Sequence, residues 1–202
     1  MRVRMFPIGL GKIILHAASR PDTEVAGLLI GKESRKVLEV WDAETGPQEG
    51  GRGYVRLSEE FIAATVEKLH SSKSELYIVG WYHSHPGFGV FLSQIDVQTQ
   101  LNYQAMYPKA IALVIDPSEY VITRKISDVS FKVYQVNETR GVVELPVQIG
   151  LARGKLLEST ISGLRDYQEG LTRFSGVPHL LVSKTIHSLS TMRRKLWGVN
   201  NR

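Results

Sequence analysis

The chain has no cysteine. That absence removes a disulfide framework, a thiol nucleophile and every zinc site built on thiolates, so a metal here must rest on His, Asp or Glu. Long apolar runs are missing too. Leu76 to Ile95 lacks Asp, Glu, Lys and Arg, yet holds two His, a Pro, three Gly and two Ser, a mixture that a membrane-spanning helix does not carry. Arg2 and Arg4 precede apolar residues as in a signal peptide, but Lys12 interrupts the stretch, so residues 1 to 20 read as a first strand and helix. An acidic surplus is also lacking: the net charge is +5. The excess sits at one end, where residues 151 to 202 hold nine Lys and Arg against three Asp and Glu, a net of +6 that leaves residues 1 to 150 at −1. Those charges are spread along helical patterns without interleaved aromatics, which reads as a solvated helix face rather than a nucleic-acid surface. With 202 residues, 43% hydrophobic and 22% charged, the composition is that of one folded domain plus an appendage. The expectation is a cytoplasmic protein that binds neither membrane nor nucleic acid.

Strands and helices interleave up to about residue 137. Glu24 to Ile30 is an almost purely apolar run ending at Gly31, the pattern of a strand buried on both faces, with Glu24 at its entrance. Lys36 to Trp41 predicts a neighbouring strand, and Ala43 to Gly53, with Gly46, Pro47, Gly50, Gly51 and Gly53, predicts a mobile loop. Ser58 followed by Glu59 and Glu60 starts a helix, because the hydroxyl caps free amides while the acids meet the positive end of the dipole. Leu76 to Tyr82 and Ala110 to Ile115 are further buried strands, the second closed by Asp116-Pro117. Val121 to Ile126 and Val129 to Val136 read as an antiparallel hairpin across Ser127-Asp128. Later, Leu157, Ile161, Leu164 and Leu171 fall at helical spacing, as do Val182, Ile186, Leu189 and Leu196, with Gly176-Val177-Pro178 between the sets. The chain therefore divides into residues 1–139 and a helical segment 140–202, whose apolar stripes suit docking on a neighbouring helix and folding back on the chain's own core equally well.

The chemistry concentrates in Gly80-Trp81-Tyr82-His83-Ser84-His85-Pro86, Gly87-Phe88-Gly89-Val90-Phe91-Leu92 and Ser93-Gln94-Ile95-Asp96. On an extended strand residues i and i+2 point the same way, so His83 and His85 can aim two imidazoles at one point. Asp96, one turn into the next helix, can swing back as a third ligand. Two neutral imidazoles and a carboxylate suit Zn²⁺ and leave the fourth tetrahedral position open, as in a catalytic site. Ser93-x-x-Asp96 also has the form of a helix-capping box, and two hydrogen-bonded histidines would complete a reading without metal. Spacing alone leaves the two readings level. For a carboxylate that works beside such a metal, Glu24, Glu33 and Glu39 are the candidates.

With Glu24 in Pro21-Asp22-Thr23-Glu24-Val25-Ala26-Gly27 added, the constellation closely resembles the JAMM (MPN+) family of zinc-dependent isopeptidases over roughly Met5 to Val136. The block Gly80 to Gly89, with Asp116-Pro117, is most similar to the deubiquitinating branch found in the proteasome lid, and the chain length fits an archaeal or minimal version. The resemblance implies an α/β, mixed α+β domain: a central mixed, mostly antiparallel sheet flanked by helices, cytidine-deaminase-like, with a C-terminal helical tail. It implies one Zn²⁺ per chain held by His83, His85 and Asp96, Glu24 as general acid and base, and Ser93 as the hydroxyl that helps hold the oxyanion. The substrate implied is an amide bond after the Gly-Gly terminus of ubiquitin or a ubiquitin-like protein. In this family an insertion pairs with that tail as a strand; Ala43 to Val55 aligns with it, making Gly50, Gly51, Gly53, Tyr54, Val55 and the flanking Phe88 candidate substrate contacts. A proteasome, or a second MPN subunit reached through the C-terminal helices, is the implied partner. The rivals are a non-catalytic scaffold subunit of the same fold, against which all five filled positions argue, and a zinc deaminase, whose cysteine ligands this chain lacks.

Overall fold

The computed structural model describes residues 1–51, 53–150 and 154–175. Two compact units divide at Ser162/Gly163. The first contains β1 (Arg2–Met5), α1 (Pro7–Ser19), β2 (Ala26–Ser34), β3 (Val37–Glu44), β4 (Gln48–Gly51), β5 (Tyr54–Leu57), α2 (Glu59–Ser71), β6 (Tyr77–Ser84), α3 (Gln94–Met106), β7 (Ile111–Asp116), α4 (Ser118–Thr123), β8 (Ser130–Asn137), β9 (Gly141–Glu144) and β10 (Val147–Ile149). The helix α5 (Gly154–Ser175) begins in the first unit, and its later turns are the described part of the second. Leu164 and Leu171 fall within α5, while Val182, Ile186, Leu189 and Leu196 lie outside the described residues.

Eight strands form one mixed sheet in the order β10-β1-β3-β2-β6-β7-β8-β9, as the mixed α+β reading expects. The pairs β2–β3, β2–β6, β7–β8 and β8–β9 are antiparallel, and β1–β3, β1–β10 and β6–β7 are parallel. The central strands are apolar on both faces because both faces are covered. On one side Leu29, Tyr82, Ile111, Leu113 and Ile115 pack with Leu10, Ile13 and Ile14 of α1, Tyr120 of α4 and Leu157 and Ile161 of α5. On the other, Ala26, Leu28, Ile30, Trp81 and Ala112 pack with Leu57 and Tyr103, and with Phe61, Ile62 and Leu69 of α2. Each fully buried Leu or Ile contributes about 1.5–3 kcal/mol, so the two layers fix the direction in which every side chain of β6 points.

Three expectations are corrected. Ala43 to Gly53 is not a plain loop: β3 runs on to Glu44, and β4 and β5 pair as an antiparallel hairpin, Gln48 opposite Leu57. Long-range bonds pin it, from the Ala26 amide to Gln48 Oε1 (2.7 Å) and from the Glu24 amide to the Gly51 carbonyl (3.2 Å). Val121 to Ile126 is not a strand. A short apolar run serves helix or strand alike, and here Asp116 Oδ1 accepts the Ser118 amide at 3.0 Å and Tyr120 is buried, which favours the single turn of α4. The strand β8 pairs instead with β7 and β9. Residues 140–149 are not helical either: β9 extends the sheet beside β8, and β10 pairs with β1, Val3 opposite Val147. A three-residue strand whose partner lies at the other end of the chain leaves no local signal.

Candidate metal centre

The site forms where β6 leaves the sheet. Trp81 and His83 project toward α3, and His85, two residues on and just past the strand end, repeats that direction. The parallel neighbour β7 holds the exit, since the His85 amide donates to the Ile115 carbonyl at 2.9 Å. From the other side, α3 starts at Ser93. The Ser93 hydroxyl accepts the Asp96 amide (3.3 Å) and Asp96 Oδ2 accepts the Ser93 amide (2.7 Å), a complete capping box. The cap therefore aims Asp96 and frees the Ser93 hydroxyl hydrogen for another acceptor. Below Asp96, Gln100 and Tyr103 continue the buried face of α3.

The ligand atoms of His83, His85 and Asp96 lie within 4.8 Å of one another, and all three residues are buried. His83 Nε2 is 3.0 Å from His85 Nε2 and 3.3 Å from Asp96 Oδ1, and His85 Nε2 is 3.6 Å from Asp96 Oδ2. Two zinc–nitrogen bonds of about 2.0–2.1 Å at a tetrahedral angle separate their nitrogens by about 3.3 Å, so the set has the spacing of one shared ion. The donor chemistry fits as well. His85 Nδ1 donates to the Gly89 carbonyl at 3.2 Å, which directs the lone pair of Nε2 inward. His83 Nδ1 is the buried side-chain polar atom left without a partner among the described residues. What orients that ring is packing: Trp81 stacks on it at 4.6 Å and 12°, and the indole Nε1 donates to Gln100 Oε1 at 3.0 Å. A Zn²⁺ ion therefore fits His83, His85 and Asp96.

Glu24 stands at the entrance of β2, with Oε1 4.0 Å from His85 Nε2, and is 8% exposed. Neither Glu33 nor Glu39 shares this corner. Glu33 pairs with Lys109 at 2.6 Å, and Glu39 is held by Arg4 (2.9 Å) and the Trp41 indole (3.0 Å). The electrostatics separate the groups by role. Burial pushes Glu24 above the ordinary glutamate value, countered by His85, reinforced by Asp96 and countered again by the Gly53 amide. Burial also works against an ionised Asp96, but bonds from His83, His85 and Ser93 hold it well below the carboxylate range. Burial lowers His83 and so keeps that imidazole neutral, the form a metal requires. Burial acts the same way on His85, but the bond and charge of Asp96, with Glu24 behind, outweigh it and raise that group.

Beside this corner opens a cleft of about 220 Å³ lined by Pro21, Asp22, Glu24, Gly53, Pro86 and Phe88. Gly53 and Phe88 thus reach the cleft, while Gly50 and Gly51 lie in β4, and Tyr54 and Val55 in β5, without lining it. Sequence reasoning missed Pro21, Asp22 and Pro86 as lining residues, although all three flank residues it singled out. It also missed Gln100, a polar residue on the inner face of a helix whose inward positions are not apolar.

Residues 2–109 match the family model described as JAB1/Mov34/MPN/PAD-1 ubiquitin protease. The chain is 37% identical over 136 residues to COP9 signalosome complex subunit 5a of Arabidopsis thaliana, covering 66% of this chain and 38% of that protein. It is 27% identical over 194 residues to 26S proteasome regulatory subunit RPN11 of Eremothecium gossypii, covering 94% of this chain and 61% of that one. It therefore spans about two fifths of the length of COP9 subunits from Arabidopsis thaliana, Drosophila melanogaster and Yarrowia lipolytica. A solution structure of a Desulfitobacterium hafniense protein shares the fold, with a TM-score of 0.57 at 16% identity over 73% of this chain and 92% of that one.

Proposed function

Because the chain belongs to the JAB1/Mov34/MPN/PAD-1 family, we propose that it is a zinc-dependent isopeptidase that hydrolyses the amide bond after the C-terminal Gly-Gly of ubiquitin or a ubiquitin-like protein. The observation that carries this reading is the convergence of His83, His85 and Asp96 within 4.8 Å with Glu24 Oε1 4.0 Å from His85 Nε2. Among the described residues no helix is long and apolar enough to cross a membrane.

Placement supports the roles that the family resemblance implies. A zinc ion held by His83, His85 and Asp96 would supply Lewis acidity for amide hydrolysis at neutral pH. Glu24, beside His85 and lining the cleft, takes the proton of the attacking water and returns it to the leaving amine. The Ser93 hydroxyl, its oxygen engaged by the cap, donates its hydrogen to the oxygen of the scissile carbonyl as that oxygen becomes negative, worth about 3 kcal/mol on the scale of one oxyanion-hole donor. Small residues at the end of the substrate suit a cleft whose wall includes Gly53 and whose edge carries the exposed Phe88. Edge pairing with the β4–β5 hairpin is the mode by which an extended tail would be held beside that cleft, with Gly50, Gly51, Tyr54 and Val55 as candidate contacts on the hairpin. Relatives named as subunits of the COP9 signalosome and the proteasome support assembly into a multisubunit complex.

The purified chain is expected to hold one zinc by atomic absorption and to cleave a ubiquitin-like fusion until a chelator is added. Glu24→Gln is expected to keep the zinc and lose cleavage by at least about 10³-fold, on the scale of general acid–base catalysis. Turnover at the wild-type rate in Glu24→Gln removes that residue from the mechanism. Zinc without cleavage in the wild-type chain, alone and in its assembly, favours the scaffold reading.

A further inference from the structure

We infer that Asp116 is a positioning residue for His85, acting through the loop that joins β6 to α3; this rests on the metal reading of the site. Because β7 runs parallel to β6, with His83 opposite Val114 and Ser84 opposite Ile115, Asp116 emerges beside the point where His85 leaves the sheet. Its carboxylate reaches into the loop. Oδ1 accepts the Gly87 amide at 3.1 Å, and Oδ2 accepts the Gly89 amide at 3.2 Å. The loop can present those two amides because Gly87 and Gly89 adopt φ of +76° and +82°, a conformation that costs glycine little.

The consequence falls on the next bond. With its amide held by Asp116, Gly89 turns its carbonyl to His85 Nδ1, which donates to it at 3.2 Å. An imidazole with Nδ1–H so engaged keeps its lone pair on Nε2, the nitrogen that faces His83 and Asp96. Further along the same loop the Tyr134 hydroxyl donates to the Val90 carbonyl at 2.6 Å, so the segment is held at two points. Asp116 also accepts the Ser118 amide at 3.0 Å, an ordinary turn at the head of α4. That turn explains one bond; the bonds to Gly87 and Gly89 cross to a segment 29 and 27 residues away and contribute nothing to α4.

Asp116→Asn separates the two roles, because the amide oxygen can still accept from Gly87 and Ser118 while the NH₂ group cannot accept from Gly89. In the full chain, zinc affinity measured by competition with a chromophoric chelator is expected to fall 10–100-fold, the scale of losing an outer partner of a metal ligand. The melting temperature of the metal-free protein is expected to stay near wild type. Nitrogen-15 spectra of the metal-free protein, at a pH where imidazoles are neutral, are expected to show His85 as the Nδ1–H tautomer in wild type and as a mixture in the variant. Wild-type zinc affinity in a folded Asp116→Asn, or a His85 tautomer that does not respond to it, overturns the inference. If the variant does not fold, an Nε2–H tautomer of His85 in the wild-type protein overturns it on its own. Failure of the wild-type chain to take up zinc defeats the metal reading instead, and the tautomer spectra still report on Asp116.

Discussion

The two faces of β6 put similar side chains to different uses. Toward α3 the strand offers Trp81 and His83, with His85 just beyond its end; toward α1 it offers Tyr82, whose hydroxyl meets His16 Nδ1 at 2.8 Å. Each face sets a histidine in a polar pair, His83 fully buried and His16 half-buried. On the α1 side the nearby carboxylates are already taken, Glu44 by Lys68 at 3.0 Å and Asp42 by Lys12 at 2.6 Å, and Tyr82 is completely buried. On the α3 side, among the described residues, neither Asp96 nor Glu24 pairs with a lysine or arginine, and a cleft opens beside them. A buried histidine therefore marks a site only where uncompensated carboxylates and access from solvent accompany it. The α1 face, whose carboxylates are compensated, serves as an internal control for the other.

The largest break in this comparison comes from Asp96→Asn. Asparagine keeps an oxygen for the Ser93 amide, so the cap survives, but the anionic ligand is gone. Stoichiometric zinc after dialysis is expected to be lost and turnover to drop by at least about 10³-fold, or about 4 kcal/mol of barrier. His16→Gln, on the opposite face, is expected to leave both untouched. Equal zinc loss in the two variants would mean that the faces are not independent.

A smaller effect tests what holds His83 without a hydrogen bond on Nδ1. Gln100→Leu leaves the buried Trp81 Nε1–H without its acceptor, while the Ala110 carbonyl keeps the Gln135 amide at 3.1 Å. The expected destabilisation is about 1–3 kcal/mol by urea midpoint, the cost of one buried unsatisfied donor. Because the Trp81 ring then loses its anchor against His83, zinc affinity is expected to weaken as well. A stability loss at unchanged zinc affinity would limit Gln100 to the core.

The parts of this corner that sequence makes legible are those whose geometry is local. His83 and His85 share a direction because strands alternate, and Ser93 and Asp96 are three apart because a cap requires it. The face of α3 that meets the sheet is less legible, since Asp96, Gln100 and Tyr103 give no apolar stripe. What brings Glu24 and Asp116 to the corner is strand pairing: Ala26 lies opposite His83, and Ser84 opposite Ile115. Those registers join segments tens of residues apart, and only the family resemblance singled out Glu24 in advance. The β4–β5 hairpin was hidden for a related reason, because its glycines read as loop until the bonds from Glu24 and Ala26 are seen.

The smallest predicted effect sharpens the comparison by titrating the α1 face alone. Burial, with the charge of Arg20 added, lowers His16 from 6.5 to about 4. Between those values the unfolded chain binds a proton that the folded chain refuses, so stability is complete above about pH 6.5 and declines as pH falls toward 4. A shift of about 2.5 units caps the effect near 3 kcal/mol, and partial solvent access to His16 with the narrower window between pH 7 and pH 5 reduces it to about 1 kcal/mol. The difference in urea midpoint between wild type and His16→Gln, taken at both pH values, isolates this contribution, because glutamine preserves a partner for the Tyr82 hydroxyl and every other group titrates alike in both proteins. The variant is expected to lose less stability on acidification than wild type, with zinc content at pH 7 the same in both. Parallel pH curves would place the His16 proton in both states and make the α1 face more open than its burial indicates.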